Sequence, residues 1–320
     1  MKPTRKKFSL VCISNRVHES GLRGQTIARC SYERMAPDHA WSVIAKKANN
    51  NVSVLMETLK VCAENGWNLR IGSDIFPLYT LVAESFDAYV ERFPAAEGTA
   101  LVAKIKCARD FIREHKIRCS MHPDHFVVIA SRSPATVANS VRELEYHGMI
   151  MDLLGLERSH TNPINIHINT YRESLDAIAT RVCQVYAALS DSVQSRLVLE
   201  NEHNANSWSV GELHRHVYSQ TRIPITYDSL HHRLNSKEMS PPDAYHMAKD
   251  TWRGTVPIFH FSDSDPAKAN KRAHADFAHA LHPELFDNQD ELVIDVEFKA
   301  KDYAIKKIQD MYANHEYAPV

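Results

Sequence analysis

The segment RLVLENEHNANSWSVGELHRHVYSQTRIPITYD, residues 196–228, reads as strand, helix, strand. Arg196–Glu200 is a short aliphatic run of strand length. Ser209 with Glu212 three positions later is a capping-box pattern, in which hydroxyl and carboxylate each satisfy a free N–H of a first helical turn. Pro224–Asp228 is again strand-like. Two strands joined through a helix pair in parallel. The same alternation extends outward in both directions, to Phe8–Ser14, Asn68–Ser73, Ile117–His122 and Pro163–His167 before it, and to Val256–Phe261 and Leu292–Glu297 after it. Each strand is followed by helical periodicity. In Val52–Asn65, for example, Val52, Leu55, Met56, Leu59 and Cys62 fall on one face. Ser133-Pro134 and Asp265-Pro266 read as helix starts, a capping side chain followed by a proline tolerated at the first helical position. Eight such units predict an α/β fold, a single (β/α)8 TIM barrel, with a doubly wound open sheet as the alternative. The barrel is expected over residues 1–312, with extra length at Glu84–Leu101 and a frayed tail at 313–320.

Composition narrows the function. The chain has 320 residues, 44% hydrophobic and 24% charged, with Lys+Arg 38 against Asp+Glu 39 and a net charge of -1. Any field that steers a nucleic acid must therefore be local. Nine glycines and no G-x-G-x-x-G argue against a glycine-cradled nucleotide. Six scattered cysteines without C-x-x-C read as reduced, mostly buried thiols of a cytosolic protein. No apolar run is long enough to span a membrane, and the one near the N-terminus is too short for a signal peptide. The basic run Lys2–Lys7 reads as a solubilising end. Histidine is the outlier, at 19 copies.

The polar residues cluster by position. The third strand ends at His122, the fourth at His167, the fifth at Glu200 and the sixth at Asp228, with His231 three residues on. The seventh carries His260 and the eighth Glu297. His274, expected early in the seventh helix, can lean over the same rim. Parallel barrels bring these strand ends to one rim. Singly, each is an ordinary hydrogen-bonded histidine, helix cap or ion-pair partner. Together they would bury like charges and desolvated imidazoles side by side, at a cost that divalent cations remove. His and carboxylate donors without thiolate fit Zn²⁺, Mn²⁺ or Fe²⁺, and this many ligands suit two ions sharing a carboxylate, with room for a third.

At these residues the chain resembles the UV damage endonuclease family, metal-dependent repair nucleases related in fold to endonuclease IV. The pieces run in family order: Asn15 after the first strand, then IARCSYERM, NLRIGSDIFP, MHPDHF, INIHI, LVLEN, YDSLHH, IFHFS, AHADF and VEFKAKD. The resemblance implies His122, His167 and Glu200 at one metal. Glu200 would bridge to a second, held by Asp228, His260 and Glu297, and His231 and His274 would hold a third. Glu200, His122, His167 and Glu297 would carry the catalysis. It also implies Mn²⁺, damaged double-stranded DNA as partner, and cleavage 5′ to a lesion to leave a 3′-hydroxyl and a 5′-phosphate. The lesions are UV photoproducts and abasic sites. Asn15, His125, Phe126 and Lys301 would touch DNA or the lesion. Arg23, Arg29, Lys268, Lys271, Arg272 and Lys299 are further rim cations for phosphate contact. The chain departs from the family at Ile258, where a metal-proximal Lys is usual, near Leu81, where a His is usual, and at His125, where an amide is usual. These changes leave the hydrolytic core intact and point to altered lesion preference. The implied enzyme is a metal-dependent phosphodiesterase, monomeric and cytoplasmic, associated with the nucleoid when acting on DNA. The alternatives are a metal-dependent sugar isomerase or epimerase on a related barrel, and a damage-binding protein impaired in catalysis.

Overall fold

The computed structural model describes residues 5–169 and 173–314. The first part of the basic N-terminal run and the tail beyond Asn314 lie outside the described residues. Eight strands form one sheet: β1 (Lys6–Val11), β2 (Asn68–Ile71), β3 (Cys119–Met121), β4 (Ile164–Ile166), β5 (Leu197–Glu200), β6 (Ile225–Thr226), β7 (Ile258–Phe261) and β8 (Leu292–Val296). Their order is β6-β5-β4-β3-β2-β1-β8-β7, and every pair is parallel. A parallel bridge between Asp228 and His260 brings the two edges together. The result is a nearly closed (β/α)8 barrel rather than an open sheet.

The seam at β6 is thin, and side chains replace missing ladder bonds there. The Ile225 N–H donates to Thr251 Oγ1, 2.8 Å, and its carbonyl accepts from the Trp252 indole, 2.8 Å. Asn201 bonds both the N–H and the carbonyl of Asp228. A buried backbone group left without such a partner would be costly.

Register separates the two faces of the sheet. Ser9 lies opposite Asn68 and Asp295, Arg70 opposite Ser120, Asn165 opposite Val198, Glu200 opposite Thr226 and His260 opposite Asp295. These residues share the lumen face, because alternate strand residues point the same way. The other face is apolar, with Leu10, Leu69, Met121, Ile166, Leu199 and Phe259 all buried. Helices cover it, among them Pro37–Asn65 and Ala95–His115. Gly66, at φ 67°, ends the first of these in the left-handed conformation that lets the chain turn directly into β2.

Several sequence expectations need correction. Asp265-Pro266 does not start a helix. Asp265 Oδ1 accepts from the Ala267 N–H, 2.9 Å, and the Lys268 N–H closes on the Asp265 carbonyl, 3.1 Å. This side-chain turn competes with a helix. Residues 262–282 therefore form turns and loops, and His274 stands in an isolated antiparallel bridge with Ser264 rather than on a helix. Lys6 is not a solubilising residue. It lies buried in β1, and its ammonium bonds Asn288 Oδ1 at 2.6 Å and the Asp290 carbonyl at 2.9 Å. The thiols are not mostly buried: Cys62 and Cys119 are, whereas Cys12, Cys30 and Cys107 are exposed. The segment 84–101 holds a short helix, Phe86–Val90, and the start of the helix Ala95–His115.

Candidate metal centre

Strand ends and first helical turns position the polar groups at the rim. Asp228 ends the β6 segment and caps the helix Ser229–Leu234, its Oδ1 accepting from the His231 N–H at 2.6 Å. That bond aligns one oxygen with the helix and leaves Oδ2, which is buried and without a hydrogen-bond partner among the described residues. It also brings the His231 ring back over Asp228, three residues being one helical turn. His231 Nδ1 lies 3.0 Å from the Asn201 carbonyl, 3.2 Å from Glu200 Oε1 and 3.9 Å from Asp228 Oδ1.

Glu200 is the hub. It is 1% exposed, and four imidazoles surround it. His122 Nε2 is 3.0 Å from Oε2, His260 Nδ1 3.2 Å and His167 Nε2 3.6 Å, and His231 approaches Oε1. The Asn165 side chain donates to Oε2. His122 is oriented by donating from Nδ1 to the Pro123 carbonyl, 2.9 Å, which turns Nε2 toward Glu200 and the centre. Glu297 accepts from Arg70 and lies 3.3 Å from His260 Nδ1.

Ligand atoms fall into three overlapping sets, each within 4.8 Å: His122, His167 and Glu200; Glu200, Asp228 and His231; Asp228, His260 and Glu297. Seven of the expected ligands are thus brought together. The second set differs from the expected grouping, since His231 joins Glu200 and Asp228. His274 belongs to none of the three. Its Nδ1 donates to the Glu297 main-chain carbonyl, 2.6 Å, which holds its ring beside the centre.

The electrostatics describe a site under charge stress. Burial would raise Glu200, but His260, His167, His122 and His231 together hold its carboxyl well below the usual range. Asp228 is pushed up by burial and by Glu200 and Glu297, against the opposing His231. Glu297 is lowered despite burial, by Arg70 and His260. Burial opposes charge on His231 and His260 as well, yet their carboxylate neighbours raise them to about 10 and about 9. Buried Asp228 Oδ2 and His167 Nδ1 have no hydrogen-bond partner among the described residues. Native proteins seldom leave such atoms unsatisfied. The donors present are imidazole nitrogens and carboxylate oxygens, and they fit divalent cations.

Around the rim, His125 and Phe126 are exposed, Phe126 by 60%. The His125 ring stacks against His167, centroids 5.3 Å apart. Asn15 is turned inward to the protein, its side chain donating to the Ala300 carbonyl at 3.2 Å. Burial lowers the Lys301 ammonium, which has Arg70 and Glu297 as charged neighbours. Arg29 pairs with Glu33 at 2.6 Å, and Lys299 with Asp265 at 3.4 Å, both on the surface. A cavity of about 350 Å³ opens beside His122, lined among others by Ile13, His18, Ile71, Ser73 and Asp124. Ile258 is buried in β7, and Leu81 is exposed in the short helix Tyr79–Val82.

Sequence reasoning missed Arg70, Asn165 and Asp295. Asn165 and Asp295 stand two residues before His167 and Glu297, so strand alternation already places them on the ligand-bearing face. His203 was missed as well. Its ring lies 4.9 Å from that of His231, and it follows β5 in the loop that also holds Asn201.

Comparison with known proteins identifies the family and the fold. The model of the UV-endonuclease UvdE family matches residues 6–318. The chain belongs to that family. A UvdE relative, the UV DNA damage endonuclease of Nostoc sp., is 28% identical over 323 residues, covering 97% of this chain and 92% of the relative. A crystal structure of SacUVDE superposes with a TM-score of 0.78 at 24% identity, covering 95% of this chain and 98% of that one. Endonuclease IV from Thermus thermophilus shares the fold more distantly, with a TM-score of 0.57 and 13% identity over 97% of this chain and 100% of that one. UvdE membership supports a DNA-repair endonuclease over a sugar isomerase. No helix among the described residues is long and apolar enough to cross a membrane.

Proposed function

We propose that this UvdE-family chain hydrolyses a DNA phosphodiester on the 5′ side of a lesion, leaving a 3′-hydroxyl and a 5′-phosphate, at a centre of two or three divalent ions. UV photoproducts and abasic sites in duplex DNA are the proposed substrates, and Mn²⁺ is the proposed metal, with Zn²⁺ or Fe²⁺ compatible with the donors. The observation that carries this reading is the sharing of Glu200 and Asp228 between adjacent ligand sets. Shared carboxylates are what allow neighbouring cations to act on one phosphate.

His122, His167 and Glu200 would hold one ion, and Asp228, His260 and Glu297 another. His231 stands ready beside Glu200 and Asp228, and His274 beside Glu297. Bound ions would supply a nucleophile at neutral pH and offset charge on the phosphate. The chain's own residues do the positioning. Asn165 steadies Glu200 by donating to Oε2. Arg70 holds Glu297. The Pro123 carbonyl fixes the tautomer of His122. Phe126, exposed on the rim, is the group placed to stack on or wedge beside an unpaired base, as inserted apolar side chains do at kinked steps. Abasic sites cost least to unstack. The proposed setting is the cytoplasm, on the nucleoid.

A nicking assay with Mn²⁺ on duplexes carrying one abasic site or one photoproduct tests the reading. Cleavage is expected only beside the lesion, with a 5′-phosphate on the downstream product, and a chelator abolishes it. Glu200→Gln removes a ligand common to two sets and should lower the rate by at least roughly 100-fold, since charge stabilisation by metals amounts to several kcal/mol. Intact damaged duplexes after incubation with wild-type protein and Mn²⁺ would reject the proposal.

A further inference from the structure

Asp295 lies below the ligand sets, in β8, two residues before Glu297 and directly opposite His260 in β7. Its side chain is 1% exposed. Oδ2 is 3.7 Å from His260 Nε2 and 3.8 Å from Arg70 Nη1, and neither oxygen has a hydrogen-bond partner among the described residues. A buried carboxylate normally has a firm partner; Arg70, whose Nη1 is bound to Glu297, and His260 both face Asp295, and His260 Nε2 is the nearer of the two.

The two nitrogens of His260 look in opposite directions. Nδ1 faces Glu200 at 3.2 Å, Glu297 at 3.3 Å and Asp228 at 3.9 Å. Nε2 faces Asp295. An imidazole that offers Nδ1 to a cation must be neutral and must carry its one proton on Nε2. A movement of roughly 0.8 Å brings Nε2 and Oδ2 to ordinary N–H···O length. Resting on the metal reading above, we infer that Asp295 is a positioning residue that accepts the Nε2–H of His260 and thereby selects the tautomer whose Nδ1 binds the cation. Carboxylates behind ligating histidines fix ring orientation and ligand basicity in this way. On this assignment Asp295 touches neither substrate nor metal and acts through His260 alone.

Two measurements on the full chain test this. In the first, Mn²⁺ affinity is measured by competition with a chelator, alongside the Tm of the metal-free protein. Asp295→Asn, nearly the same shape, should lose on the order of 10–100-fold in affinity at one site while the metal-free Tm stays close to wild type. Unchanged affinity overturns the assignment of Asp295 alone. A metal-free Tm that falls in step with the affinity makes the role structural and also overturns it. Wild-type protein that takes up no Mn²⁺ overturns the metal reading and this inference together. The second measurement needs no variant at Asp295. Imidazole ¹⁵N spectra of the Zn²⁺-loaded wild type, with His260 assigned by loss of its signals in His260→Gln, should show the proton on Nε2. A proton on Nδ1 refutes the inference.

Discussion

His147 shows how one residue type takes opposite roles according to its surroundings. It is 1% exposed in the helix Pro134–Leu153. Its Nδ1–H donates to the Glu143 carbonyl at 2.6 Å, and its Nε2 accepts from the Ser73 hydroxyl at 2.9 Å. Burial pushes it from 6.5 down to about 4. His231 and His260, also buried but among carboxylates, move the other way. For His147 the unfolded chain binds the extra proton more readily. Its contribution to stability is therefore complete above the unfolded value and is lost as pH falls through the window between 6.5 and about 4. Urea unfolding should show wild type losing about 2 kcal/mol from this group between roughly pH 7.5 and about pH 5. His147→Gln should flatten that part of the slope, whatever its effect at neutral pH, and an unaltered slope refutes the account. No count of histidines distinguishes these cases, because each is decided by neighbours from distant parts of the chain.

At the scale of elements, the strands were readable and one connection was not. All eight strands fall within the expected spans except β1, which starts two residues early, at Lys6. Most carry aliphatic or β-branched residues on the face that packs against the helices. Two capping signals act as their spacing implies. Ser133 and Ser209 accept from N–H groups three residues on, and Ser209 with Glu212 completes the capping box. Asp265-Pro266 failed because the Asp side chain bonds two residues ahead and closes a turn instead. The connection after β3 holds Phe126, exposed and without a core role. Phe126→Ala should therefore change unfolding free energy by less than about 0.5 kcal/mol. Binding to a damaged oligonucleotide, followed by fluorescence anisotropy, should weaken by roughly 5- to 150-fold, since stacking contributes about 1–3 kcal/mol per base. Binding that survives intact removes Phe126 from the DNA interface.

At the scale of the whole molecule, the centre draws on six strands: β3, β4, β5 and β6 on one arc, β7 and β8 on the other side of the seam. Cations bound there would tie the two arcs together across the thin β6–β7 seam. Binding to the folded state alone stabilises it by about 2.7 kcal/mol at a hundred times the dissociation constant. For a chain of this size that is a rise of several degrees in Tm. Scanning calorimetry of chelator-treated protein, with and without saturating Mn²⁺, should show this rise, and Glu200→Gln should largely abolish it. Equal melting with and without metal would count against a shared centre.

Local chemistry written along the chain was enough to specify alternating strands and helices, their order, and the delivery of His122, His167, Glu200, Asp228, His260 and Glu297 to one rim. Those are consequences of periodicity, capping and strand direction, which act over a few residues. Tertiary structure alone decided the rest: closure of β6 on β7, the sharing of Glu200 among four imidazoles, and the approach of Asp295 to the far side of His260. Charge interactions and hydrogen bonds at the centre change over distances of about an ångström, and only the register and curvature of the finished barrel set separations that finely.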